Sequence, residues 1–190
     1  MEYPVLGTEP LAVELANTRY EDGGEVVDFL ASPESMTGWF AELDAASSAR
    51  VVPARDLSRL RELRDHIHAV LAALADGTHP GQESIEAVND CAAQAHSSVR
   101  MDWPAAGAPR SVSDSSSTGT TRLLAELASE TITLATDGSL LSRCAGTDCR
   151  MLFVRQHGRR RFCHSSCSQR ARQARYQQRL ASQWVDGKLV

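Results

Sequence analysis

The sequence predicts an α+β protein in two unequal parts, and three observations predict it. Apolar residues recur at 3- and 4-residue steps through stretches near 33–45, 54–75, 82–95 and 119–136, the signature of amphipathic helices. Residues 98–103 and 110–114 alternate apolar and polar, which reads as a small β-hairpin. Cys144, Cys149, Cys163 and Cys167 stand at the spacing C-x4-C-x13-C-x3-C and run into an arginine-rich segment. The expected architecture is a mainly helical N-terminal domain with a small β-hairpin over residues 1–142. A C-terminal four-cysteine zinc finger of the treble type follows over 143–182 and ends in a basic helix, and residues 183–190 form a tail.

The elements follow in chain order. Residues 10–17 form a short apolar helix or strand, with Pro10 suited to a first helical turn and Asn17 to ending it. Residues 21–24 read as a loop and Val26–Leu30 as a short apolar piece. Ser32 before Pro33 predicts a helix start, with Ser35 at the third helical position, and a helix running to about Ala45 that buries Met36, Trp39, Phe40 and Leu43. The longest helix spans 54–75 on Leu57, Leu60, Leu63, Ile67, Val70, Leu71 and Leu74, closed by Asp76-Gly77. A helix over 82–95 carries Ile85, Val88, Cys91, Ala92 and Ala95 on one face, and Cys91 reads as a small buried hydrophobe. After the hairpin, a helix over 119–136 carries Leu123, Leu124, Leu127, Ile132 and Leu134 and ends at Asp137-Gly138.

Four thiolates from two close pairs can occupy the corners of a tetrahedron. Zn²⁺ suits them, being a d¹⁰ ion with affinity for soft anionic sulfur. Four cysteines without an open position imply one structural zinc rather than a catalytic one. Two disulfides or free thiols are the alternatives; nothing in the chain suggests an oxidising compartment. His157 and His164 lie nearby but are not needed as ligands. Met151–Val154 forms an apolar strand beside the site, and from Ser165 the chain is helical to about Ala181.

The formal net charge of −4 conceals an asymmetry. Residues 143–190 hold ten Arg and Lys188 against Asp148 and Asp186, a surplus of nine positive charges. Residues 1–142 hold nine Arg against 22 acidic residues, an excess of thirteen negative charges. The basic part is drawn to phosphates and the acidic part is repelled by them. At about 100° per residue, Ser168, Arg172, Arg175 and Arg179 fall within about 60° of arc on the last helix, flanked by Gln169 and Tyr176. Arg170 lies on the opposite side, towards the zinc module or a second phosphate strand. Arg159, Arg160 and Arg161 make a cationic loop tip. Together these residues form the candidate DNA-contacting set, because Arg binds phosphate as a fork and reaches N7 and O6 of guanine. A basic helix resting on the acidic body of its own chain is the bland alternative.

Elsewhere, Asn17, Arg19, Trp39 and His66 are candidates to line a ligand pocket, with a turn-forming Asn, a surface Arg and a core Trp as the plainer reading. His66 and His68 point about 200° apart on one helix and cannot share a metal. The chain carries no Ser/His/Asp order, glycine-rich phosphate loop or HxxxH site, so no enzyme is expected. No apolar run approaches the ~20 residues of a membrane span, and the N-terminal residues have neither the basic nor the apolar region of a signal peptide. A cytoplasmic, nucleoid-associated protein is the expectation.

Residues 159–170, RRRFCHSSCSQR, resemble the bacterial CGNR zinc-finger family, whose second knuckle reads Arg-Arg-aromatic-Cys…Cys-Gly-Asn-Arg before a basic helix. Residues 11–19, LAVELANTR, resemble the opening of the ABATE domain that precedes this finger, as does the Leu/Arg pattern over 53–64. Arg170 matches the family pattern, whereas Ser168 and Gln169 stand where Gly and Asn are usual, and three residues separate Cys163 from Cys167 where four are common. The resemblance implies a transcriptional regulator, described as stress-induced. Its finger docks on duplex DNA, and its N-terminal domain senses a small-molecule effector, dimerises, or both. A homodimer on a two-fold site is the natural route to useful affinity for one small finger. A zinc-dependent module for protein or RNA, without duplex specificity, is the alternative.

Overall fold

The computed structural model of the chain describes residues 5–22, 25–43, 52–95, 97–105, 107–115, 117–185 and 188–189. Helix α1 (Leu11–Ala16) is one and a half turns long, too short to persist alone. It holds because Ala12, Val13, Leu15 and Ala16 are fully buried. Pro10 sits at its N-cap with extended backbone (φ −55°, ψ 148°), one position earlier than the sequence suggested. Strands β1 (Arg19–Asp22) and β2 (Glu25–Asp28) then pair antiparallel, setting Arg19 opposite Asp28.

Helix α2 (Pro33–Leu43) begins as expected. The Ser35 amide donates to Ser32 Oγ (3.2 Å) and the Ser32 amide donates to Ser35 Oγ (2.9 Å), a reciprocal cap. Met36 and Trp39 are buried, and Phe40 and Leu43 pack at the core's edge. The expected end at Ala45 lies outside the described residues, as do Gly23 and Gly24.

A short 3₁₀ turn (Ala54–Asp56) leads into α3 (Leu57–Asp76), the spine of the domain. Its apolar stripe runs through Leu57, Leu60, Leu63, Ile67 and Leu71, all buried, and each such side chain contributes about 1.5–3 kcal/mol of transfer free energy. Gly77, at φ 65°, ends it in the left-handed conformation that a side chain at that position would disfavour. Helix α4 (Gln82–Ala93) and helix α5 (Gly119–Thr136) pack against α3 and against each other, and α1 lies across α3 and α5. Between α4 and α5, β3 (Ser97–Asp102) and β4 (Arg110–Ser115) form the expected hairpin.

Strands β5 (Leu141–Arg143) and β6 (Leu152–Val154) pair antiparallel, and α6 (Ser165–Gln183) follows. Two-residue strands β7 (Trp184–Val185) and β8 (Lys188–Leu189) pair beyond it. The period-2 alternation of β6 decides how the cysteine module attaches. Leu152 and Val154 join the helical core, while Phe153 turns the other way into a second cluster with Cys144, Cys163 and Cys167. One short strand thus serves two cores, so the hairpin that opens the finger is packed on α1 and α3.

Candidate metal centre and arginine helix

The β5–β6 hairpin carries Cys144 just after β5 and Cys149 at its turn. The loop returning to α6 carries Cys163, and Cys167 sits in the helix's first turn. This is the treble-type arrangement of knuckle, hairpin and helix. Their four Sγ atoms lie within 4.8 Å of one another. The measured edges are 3.6 Å for Cys149–Cys163 and 3.7 Å for Cys163–Cys167. A tetrahedron with ~2.3 Å Zn–S bonds has edges of about 3.8 Å, so the donor set fits zinc. Cys144, Cys163 and Cys167 are buried, and Cys149 is partly exposed.

The backbone is shaped to stabilise sulfur as an anion. The amides of Gly146 and Cys163 both point at Cys144 Sγ (3.4 Å each), and Arg170 Nη2 lies 3.2 Å from Cys167 Sγ. Without metal the thiols compete for one charge. Hydrogen bonds from Cys149 and Cys163 pull the Cys144 thiol down, while the same contacts push Cys149 and Cys163 up. A divalent cation removes that conflict by letting all four ionise. Gly146 is held close to the site: a Cβ there would meet Cys149 Cβ at 3.2 Å and Cys144 Sγ at 3.5 Å. His164 Nδ1 pairs with Ser166 Oγ, and His157 is exposed; neither enters the cluster.

The arginines divide by direction. Arg159 and Arg161 are exposed at the loop tip, and Arg170, Arg172, Arg175, Tyr176 and Arg179 are exposed along α6, with Gln169 exposed and Ser168 half-buried. Arg160, expected at the tip with its neighbours, instead turns inward. Its guanidinium donates to the carbonyls of Val154 (3.1 Å) and Cys163 (2.7 Å), pairs with Glu9 Oε1 at 2.7 Å and stacks over Phe153 at 4.7 Å. Desolvated and multiply bonded, it is a structural tie and no longer a cation available to a partner. Arg170 serves the metal site, as its side of the helix suggested.

The four residues proposed to line a pocket do not converge. Asn17 is buried, and its side-chain amide forms both hydrogen bonds of a strand pair with Leu152: Nδ2 donates to the carbonyl (3.0 Å) and the Leu152 amide donates to Oδ1 (2.8 Å). Trp39 is a core side chain, and His66 Nδ1 contacts Ser84 Oγ at 3.2 Å. Arg19 borders a cavity of about 210 Å³ that it shares with Tyr20, Arg64, Asp65 and His68.

Sequence reasoning missed the ties between the two parts. Glu9 accepts the Val154 amide (2.7 Å) as well as Arg160. Arg143 forks onto Asp76 with two 2.8 Å bonds, which lowers the Asp76 carboxyl. Buried Glu14 accepts the Leu6 and Gly7 amides, fixing the segment that carries Glu9; burial raises its carboxyl despite those bonds. The only available signal was an acid at 14 inside an otherwise apolar run.

Known families account for both parts. The family model described as "ABATE: Putative stress-induced transcription regulator" matches residues 9–138, and the CGNR zinc-finger model matches residues 141–180. Among curated proteins no significant match is found. No helix among the described residues is long and apolar enough to cross a membrane. With a family model covering well over half its length and a four-cysteine cluster where the finger model falls, the chain belongs to the ABATE family of transcription regulators that end in a CGNR zinc finger.

Proposed function

We infer that the protein is a zinc-dependent regulator that docks α6 and the loop-tip residues Arg159 and Arg161 on duplex DNA. One observation carries this reading: residues 172–179 of α6 are exposed on every side, yet the helix is aimed by Cys167, which sits in the metal cluster. An isolated helix with no buried face gains nothing from the core. Its position is explained by what it offers a partner, a row of guanidiniums at Arg172, Arg175 and Arg179 matched to a phosphate backbone. Ser168 and Gln169 open the helix at its metal-held end, where base edges would be read. The bland alternative of a basic helix lying on its own acidic body is disfavoured, because the exposed stretch does not pack on α1–α5.

The N-terminal domain supplies effector sensing and a second copy supplies affinity. A cavity lined by convergent polar groups supports sensing, and a two-fold dimer places two fingers on successive half-sites. The decisive test is competition of zinc-loaded protein among duplex DNA, RNA of matched sequence and an acidic polypeptide. Duplex DNA should displace the other two. Preference for RNA or for the polypeptide would favour the interaction-module reading instead.

A further inference from the structure

We propose that the cavity bounded by Arg19, Tyr20, Arg64, Asp65 and His68 binds a small organic monoanion, a carboxylate bearing a hydrogen-bond donor at its far end. The proposal rests on the effector-sensing reading above and names the site and chemical class of that effector. At about 210 Å³ the cavity falls below the ~300–1,000 Å³ of drug-sized pockets, so its occupant is metabolite-sized.

Charge decides the sign of the ligand. Arg64 is 2% exposed and fully committed: Nη1 and Nη2 grip Asp28 at 2.6 and 3.1 Å, and Nε holds Asp65 at 3.0 Å. Arg61 lies close enough to Asp28 to lower its carboxyl further, while its Nε donates to the Leu30 carbonyl. Arg143 pairs with Asp76. Of the charged side chains that line the cavity, Arg19 and Arg64 meet one carboxylate, Asp65, with Asp28 behind Arg64; Arg61 and Arg143 stand outside the lining. Arg19 is the member that a ligand can recruit. Its pair with Asp65 is long, 3.7 Å, and half exposed on both sides. Asp65 keeps its bond to Arg64 if Arg19 swings to a ligand carboxylate, so the exchange leaves no buried charge unpaired.

His68 decides the other end. Its Nδ1 lies 3.1 Å from the Ala16 carbonyl, an acceptor, so Nδ1 carries the proton. Burial favours the neutral ring, whose Nε2 can then accept a hydrogen bond from a ligand in the cavity. Tyr20 and Val26 supply apolar wall between the two ends.

The site also touches the seam with the finger. Ala16, which lines the cavity and accepts from His68, precedes Asn17, the residue paired with Leu152 of β6. A ligand that shifts His68 or Arg19 therefore pushes on the tie that holds the finger.

The test is calorimetric titration of full-length zinc-loaded protein, without DNA, with 4-hydroxybenzoate and with 4-hydroxybutanoate, using 4-hydroxybenzamide as the uncharged control. At least one acid should bind with a dissociation constant of about 1 mM or tighter, and the amide about tenfold or more weaker. Arg19→Gln should lose about tenfold in acid affinity, and ¹⁵N shifts on binding should include Asn17 and Leu152. Arg19 is exposed and held by one loose pair, so that variant should fold; its circular dichroism checks this. Equal binding of acid and amide, acid binding untouched by Arg19→Gln, or no binding by either acid overturns the proposal. Loss of DNA binding would strike the regulator reading and leave this titration standing, and a null titration would leave DNA binding standing.

Discussion

Helices α3 and α6 are almost the same length, 20 and 19 residues, and they are held in place by opposite means. Nine residues of α3 are buried, Arg64 among them. Among the described side chains of α6 only Cys167 is buried. α3 stands because an apolar stripe leaves water; α6 stands because its first turn is bound to a metal cluster. The difference teaches where function can sit. A helix that spends its faces on packing is a scaffold, and a helix anchored at one end through Cys167 leaves residues 172–179 exposed. The β6 strand joins the two modes, with Leu152 in one core and Phe153 in the other.

The largest test of this contrast is metal removal. Zinc linkage in small fingers is worth about 10–16 kcal/mol in apparent terms. Chelation, or Cys163→Ser, should therefore abolish the order of α6 and both knuckles while α3–α5 remain folded, as read by NMR amide dispersion. An α6 that stays ordered after chelation would break the comparison at its root. Next comes the scaffold's buried charge. Burial works to raise the Asp28 carboxyl, but the Arg64 fork and the Leu30 amide hold it below its ordinary value. Arg64→Met leaves Asp28 without its fork. Because Asp28 is a quarter exposed, the cost should fall near the lower end of about 3–5 kcal/mol, measured by urea denaturation. Asn17→Ala should cost about 2 kcal/mol, two hydrogen bonds at about 1 kcal/mol each, and should speed hydrogen exchange at Leu152 more than at Leu71. Equal effects at both amides would show that Asn17 does not tie the two parts.

The smallest effect is a pH slope. Burial, the dominant influence, lowers the His68 imidazole below its ordinary 6.5, with Arg143 and Arg19 adding to this while the Ala16 carbonyl and Asp65 oppose it. Below pH 6.5 the unfolded chain then takes a proton that the folded chain resists. Stability should fall as pH drops from about 6.5 towards the folded value, by at most about 1.4 kcal/mol per pH unit, and His68→Gln should flatten that slope. A slope unchanged in the variant would assign it to other groups.

Much of this was legible in the sequence for a physical reason. Helices α3, α4 and α5 declare themselves because an apolar stripe must repeat with the helical period, and the four cysteines do so because a tetrahedral site needs two close pairs. Arg160 misled because adjacent arginines look alike in sequence; only the fold reveals that one of three meets Glu9, which lies about 150 residues earlier in the chain. Asn17 ended α1 as expected, yet its side chain also pairs with Leu152, a contact across 135 residues that no local pattern encodes. Pairings of that kind are set by packing, and they are the ties between the two parts.

The central claim is that the exposed stretch of α6, residues 172–179, docks on nucleic acid. The most direct measurement is the salt dependence of duplex DNA affinity for the zinc-loaded protein, beside Arg172→Gln/Arg175→Gln. The parent should bind at low salt with a steep log–log slope of about −0.9 per phosphate engaged, and the double variant should bind more weakly with a slope flatter by about 1.8. No binding with all four cysteines metallated, or identical slopes for the two proteins, would contradict it.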